Sequence, residues 1–247
     1  MCSSDLNIVN ELTVGDITAL TIYVAAQPRP VSKVELDALG LLGNALTWTQ
    51  VQQINHGKAL FAQIGCAVCH VPALPLNDSV FREPSAHPAY RDARFPSGAL
   101  PRPAGVRTDL PVSFDLAADQ PQNVFTVGGQ VVRLGSFRRQ PGGTGAVIEL
   151  YGDLKRHDMG PELAESIDET GSGASTFLTE NLWGVGSTAP YLHDGRATTL
   201  TEAILWHGGE AAASRAAFRA LTTQEQLDLL LFLNNLTLLK GGLPIGN

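Results

Sequence analysis

His56-Gly-Lys-Ala-Leu-Phe-Ala-Gln-Ile-Gly65 runs without a break into Cys66-Ala-Val-Cys69-His70. In the first part Leu60, Phe61 and Ile64 recur at helical spacing, which predicts a helix with one apolar face. The last five residues fit the C-x-x-C-H pattern. Its chemistry explains its spacing: two thiols add across the two vinyl groups of a porphyrin, and the next residue brings an imidazole under the iron. One turn of backbone holds all three groups. A zinc site would want further Cys or His ligands at suitable spacing, and the only other cysteine is the remote Cys2. A thioredoxin-like pair would want a βαβ setting, of which the pattern gives no sign. The stretch therefore predicts a covalently held c-type haem on Cys66, Cys69 and His70.

Outward from this stretch, the two ends of the chain carry the same helix pattern. Leu12-Thr13-Val-Gly-Asp16 leads into Leu20, Tyr23 and Val24; Leu221-Thr222-Thr-Gln-Glu225 leads into Leu229, Phe232 and Leu233. Each places Thr as an N-cap with an acid three residues later, the capping-box arrangement. Each then carries apolar residues at matched spacing and ends near proline, Pro28 and Pro30 or Pro244. Gly241 and Gly242 read as a stop for the second. If this helix closes a domain at the C-terminus, its copy closes an earlier domain. The expected division is then residues 1–30, an artefactual start followed by the last helix of a truncated domain, and residues 31–247, the haem domain. Cys2-Ser-Ser-Asp-Leu6 matches the translation of a common sequencing-library adapter, and Met1–Leu6 has neither the basic start nor the apolar core of a signal peptide.

Bulk properties narrow the function. A chain of 247 residues has room for one large domain or two small ones. A net charge of −7 argues against nucleic acid as a partner. The best apolar run, Leu227–Leu239, is broken by Asp228, Asn234 and Asn235, so it reads as a buried helix and not as a membrane span. Because c-type haem is attached outside the cytoplasm, the expected location is periplasmic or otherwise exported.

Between the end helices, Pro72–Pro111 reads as a long loop. Val124–Leu134 and Ala146–Leu154 alternate around Gly142, Gly143 and Gly145 and predict one β-hairpin. Thr199–His207 reads as a short helix with a Thr199–Glu202 capping box, and an alanine-rich helix follows over Ala211–Leu221. Candidates for a second axial ligand are His207, Met159, His157 and His193. Leu200, Ala203, Ile204 and His207 share one helix face, so the His207 imidazole points inward, where it needs a partner. His56 and His87 receive no role.

Four further segments carry a family resemblance: Tyr151-Gly-Asp-Leu-Lys-Arg-His157-Asp-Met159-Gly, Phe177-Leu-Thr-Glu-Asn-Leu-Trp183-Gly, Ser187-Thr188-Ala-Pro190-Tyr191-Leu-His193-Asp-Gly195-Arg196 and Ile204-Leu-Trp206-His207-Gly-Gly-Glu. With Cys66–His70 they resemble the di-haem oxidoreductases, a family of peroxidase and thiol-oxidoreductase-like proteins related to bacterial di-haem cytochrome c peroxidases. Members of that family have two cytochrome c-like domains with one haem each. The single C-x-x-C-H here matches the second. The resemblance implies a mainly α fold, a class I cytochrome c-like domain with an inserted β-hairpin and long loops. It places His207 where the peroxidases carry a ligating methionine, and so implies a haem held between His70 and His207. Carbonyls matching Thr188 and Pro190 help hold calcium between domains in those peroxidases. His193 and Arg196 become candidates for the haem propionates, Arg196 because a guanidinium suits a carboxylate; Trp183 and Trp206 read as core aromatics or electron-path residues. The implied partners are an upstream haem domain of the same protein and a periplasmic redox protein. A mono-haem electron-transfer cytochrome, and an open haem that itself binds peroxide, are the alternatives.

Overall fold

The structure, a computed structural model, describes residues 14–83, 112–168 and 171–238. Its helices are α1 (Val14–Ala25), α2 (Lys33–Ala38), α3 (Trp48–Gln63), α4 (Leu200–Trp206), α5 (Ala212–Ala220) and α6 (Thr223–Asn235). The chain divides into two compact units. One comprises Met1–Arg29, Pro75–Thr126 and Val131–Val147; the other comprises Pro30–Leu74, Val127–Gln130 and Ile148–Asn247.

The second unit is organised by α3 against α6. Thr47 starts α3 and Thr222 starts α6, each in a closed capping box, with Gln50 and Glu225 as the reciprocal partners. The crossing is close because Gly57 has no side chain: a Cβ there would lie 1.9 Å from the Asp228 carbonyl oxygen. Leu60, Phe61 and Ile64 then bury with Leu229, Phe232 and Leu233. Phe61 and Phe232 meet at 5.3 Å between ring centroids, and Tyr151 packs edge-on to Phe232 at 5.8 Å. The buried Asp228 carboxylate is satisfied from both helices, accepting from Gln53 and Gln224 and bonding the His56 ring at 2.8 Å. Burial pushes its pKa up, but the bonds from His56 and Gln224 outweigh this and hold it below the usual carboxylate range. The ends of this unit are joined by Val31–Ser32 paired antiparallel with Leu236–Thr237.

In the first unit α1 accompanies strands of three small sheets. Val80–Glu83 pairs with Val112–Asp115, where Phe81 faces Phe114. The Asp115 carboxylate accepts from the Ser79 hydroxyl, the Arg139 guanidinium and the Ala117 N–H. The backbone N–H of Arg29 donates to the Gly135 carbonyl at 2.9 Å, and its side chain to that of Leu134.

Three expectations need correction. The molecule is not mainly α: 38% of the described residues are helical and 18% lie in strands, and the strands form five separate small sheets. A cytochrome c fold is not shown. The strands are two to four residues long, and outside Val124–Leu134 and Ala146–Leu154 they are too short for period-two alternation to register in the sequence. The single hairpin is also replaced by two pairings. Val124–Val127 pairs with Gln130–Arg133 about Gly128-Gly129, both at positive φ, the conformation a two-residue hairpin turn demands. Arg138–Arg139 pairs separately with Ala146–Ile148. Finally, the apolar C-terminal run does not stay helical to Leu239, because α6 ends at Asn235 and the next two residues join the strand pair. Thr13, His87, Gly241, Gly242 and Pro244 lie outside the described residues.

Candidate functional site

The second unit contains every residue of the predicted haem site. After Ile64 caps α3, Gly65 takes a left-handed φ of 88° and redirects the chain into a tight turn over Cys66–Val68. The His70 N–H donates to the Cys66 carbonyl at 3.0 Å, closing the turn that carries both cysteines and the imidazole. Both cysteines are free. Burial pushes the Cys66 thiol up to about 11 and raises Cys69 as well, so both are protonated at neutral pH.

His70 and His207 face one another, with ring centroids 6.4 Å apart and planes inclined by 48°. Two metal–imidazole bonds of about 2 Å each, added to the half-widths of the two rings, span about 6 Å. An iron between these rings therefore fits the gap. The His70 Nδ1 lies 3.1 Å from the Tyr151 carbonyl and the His207 Nδ1 lies 2.7 Å from the Ala203 carbonyl. A carbonyl only accepts, so each neutral ring bonded in this way carries its proton on Nδ1, the tautomer whose Nε2 can ligate a metal; the Glu180 backbone also bonds the His70 ring. Burial lowers the pKa of both rings and keeps them neutral. Tyr151 holds a left-handed φ of 52° to present its carbonyl, a conformation that costs a non-glycine residue roughly 1–3 kcal/mol. Its ring packs against Phe61 and Trp183, whose indole donates to the Glu149 carbonyl. Its hydroxyl is pushed up to about 12 by burial.

His207 caps the C-terminus of α4, a helix begun by the expected Thr199–Glu202 box. The chain then turns through Gly208 and Gly209, where a Cβ would strike the carbonyls of Met159 and Asp158 at 2.6 and 2.1 Å. Met159 thus lies beside the turn after His207 through its backbone, while His207 presents the ring opposite His70. His157 is engaged elsewhere, with one ring nitrogen on Asp153 and the other on Glu210. His193 stacks on Phe177 at 4.4 Å. Arg196 is held by Asp194 and by the Glu162 carbonyl, and lies 5.0 Å over the Trp206 ring. The Thr188 hydroxyl donates to Gly184. Among the described residues no group of three or more His, Cys, Asp or Glu could hold a metal ion, and no helix is long and apolar enough to cross a membrane.

Sequence reasoning missed the two carbonyls that fix the imidazole tautomers, and no side-chain pattern announces them. It also missed the Asp153–His157–Glu210 contacts. Gly160, Gly208 and Gly209 were a signal, since paired glycines mark close backbone approach.

A half-buried, neutral imidazole pair beside a C-x-x-C-H turn is a donor set suited to covalently attached haem. A family model described as "Di-haem oxidoreductase, putative peroxidase" matches residues 77–236, more than half of the chain, and the protein belongs to that family. The matched region contains His157, His193, Arg196 and His207 and begins after His70. Comparison with curated proteins and with solved structures gave no match.

Proposed function

We propose that this chain holds one c-type haem, on thioethers from Cys66 and Cys69 and between the imidazoles of His70 and His207, and serves electron transfer within a di-haem oxidoreductase. The observation that carries this reading is the facing imidazole pair, 6.4 Å apart, with both Nδ1 atoms occupied by backbone carbonyls. A haem bound there supplies one-electron redox chemistry at its iron. The protein's part is to hold two neutral rings at fixed separation and to pack Phe61 beside the His70 ring, with Tyr151 behind Phe61. An imidazole on each face leaves no position for peroxide, so this site relays electrons and turnover belongs to the second haem of the family's name. The exposed apolar side of α1 suits an upstream haem domain of the same protein, and we take 31–247 as the haem domain. Covalent haem attachment places the protein in the periplasm or beyond, with a redox partner there.

The test is expression in a host that matures c-type cytochromes, followed by mass spectrometry, visible spectroscopy and EPR. One covalent haem with a low-spin ferric signal is expected, and His207→Ala should become high-spin. An unchanged spectrum in His207→Ala, or the near-infrared band of methionine ligation, overturns the ligand assignment. A high-spin ferric haem in the unmodified protein supports an open, peroxide-binding site instead.

A further inference from the structure

We propose that His157 is a positioning residue: bridged between Asp153 and Glu210, its ring ties the turn that follows His207 to the turn whose carbonyl holds His70, and so sets how the second imidazole approaches the iron. This rests on the haem reading given above and names the part of the chain that keeps that site assembled.

The His157 Nδ1 lies 2.8 Å from a Glu210 carboxylate oxygen, and its Nε2 lies 2.9 Å from one of Asp153. A neutral imidazole has one N–H to donate, so two carboxylates at these distances require the doubly protonated ring. The bonds from Glu210 and Asp153 both raise its pKa, in that order of size. Asp153 is in turn held down to about 2: burial pushes it up, but the His157 ring and the Lys155 N–H outweigh this. The ring is 17% exposed and the Asp153 side chain 6%, while Glu210 is 55% exposed, so the Asp153 arm is shielded from water and the Glu210 arm meets solvent.

Each end of the bridge leads to an axial imidazole. Asp153 follows Tyr151 and Gly152; the Tyr151 carbonyl accepts from the His70 ring, and the Gly152 N–H donates to Val71. Glu210 follows His207, Gly208 and Gly209, and its second oxygen accepts the Asp158 N–H at 3.0 Å. The glycines let the 158–160 backbone lie directly on the 208–209 backbone. Around His157 the charged groups are therefore Asp153 on one turn, Glu210 on the other and Asp158 beside it on its own strand, the last turned back to cap the Gly160 N–H. Two carboxylates from opposite sides of the site meet on one cation. Without that charge they repel, and the 208–210 turn is free to withdraw from His70.

The test compares the haem-loaded protein with Glu210→Gln, Asp153→Asn and His157→Gln by ferric EPR and visible spectra across pH, with Thr222→Ala as a variant of similar stability loss far from the bridge. The unmodified protein should be low-spin at neutral pH and develop a high-spin fraction only as alkali deprotonates His157. His157→Gln and Glu210→Gln should show that high-spin fraction already at neutral pH, and the pH dependence should vanish in His157→Gln. Thr222→Ala should keep the parent spectrum. If the three bridge variants lower the melting temperature but keep the parent's low-spin spectrum at every pH, His157 is a plain structural tie and the proposal fails. If the unmodified protein is itself high-spin or methionine-ligated, it is the His207 assignment that fails, and the proposal with it.

Discussion

Helices α1 and α6 carry one sequence pattern and meet opposite fates. Leu229, Phe232 and Leu233 of α6 are 1, 1 and 5% exposed, whereas their counterparts Leu20, Tyr23 and Val24 of α1 are 56, 56 and 62% exposed. Hydrophobic spacing makes a helix amphipathic, but it does not supply the surface that covers it. α6 finds that surface in α3, where Gly57 lets the backbones touch and Asp228 gives the interface a polar anchor. The residue of α1 that corresponds to Asp228 is Ala19. An apolar helical face left open on this scale marks an interaction surface more often than chance exposure.

The contrast can be broken by truncation. Phe232→Ala should cost about 3–5 kcal/mol of stability, as large aromatic truncations in a core do, while Tyr23→Ala should stay within about 0.5 kcal/mol. Chemical denaturation of both variants measures the difference, and equal losses would mean that α1 is as well covered as α6. The upstream domain proposed above gives the same pair a second use: with that domain added in front of the chain Tyr23→Ala should become costly, and an unchanged small effect would show that no such domain seats on α1. Gly57→Ala should destabilise by about 1–3 kcal/mol through overpacking, visible as a lower denaturation midpoint; a neutral result would mean that α3 and α6 can part without loss.

The polar anchor gives a pH signature. Asp228 titrates lower in the folded chain than in the unfolded one. As pH falls, the unfolded state takes the proton first. The anchor's contribution is thus full above an ordinary carboxylate value of about 4 and is lost as pH falls through the lowered value. Asp228→Asn should flatten this acid limb in a series of thermal melts, and an unaltered limb would locate acid sensitivity elsewhere. Thr222→Ala should have a smaller effect than either core change, about 1 kcal/mol for one lost cap, measurable as a modest drop in melting temperature.

What could be read from sequence was what is local. Thr199 with Glu202 and Thr222 with Glu225 announced two helix starts to the residue, because a capping box needs only neighbours within one turn. Cys66–His70 announced its own turn for the same reason, whereas His207 stands just past α4 as its extended C-cap, so the helix face of Leu200, Ala203 and Ile204 does not itself set its ring. Strands within Val124–Leu134 and Ala146–Leu154 were legible, but the pairings and the remaining strands were not. Val31–Ser32 pairs with residues about two hundred positions away, and nothing in so short a segment encodes a partner so distant. His157 was a weak ligand candidate because its two carboxylates, Asp153 and Glu210, come together only when the 158–160 and 208–210 backbones meet.

The two acceptors behind the imidazoles are main-chain atoms, and this bears on how the site can vary. Replacing Tyr151 or Ala203 changes a side chain but cannot delete the carbonyl that fixes each ring's proton. The basicity of both rings is therefore insulated from point mutation at those positions. Inheritance can retune it by bending the backbone, through residues such as the glycines and the left-handed Tyr151, but not by exchanging one hydrogen-bonding side chain for another.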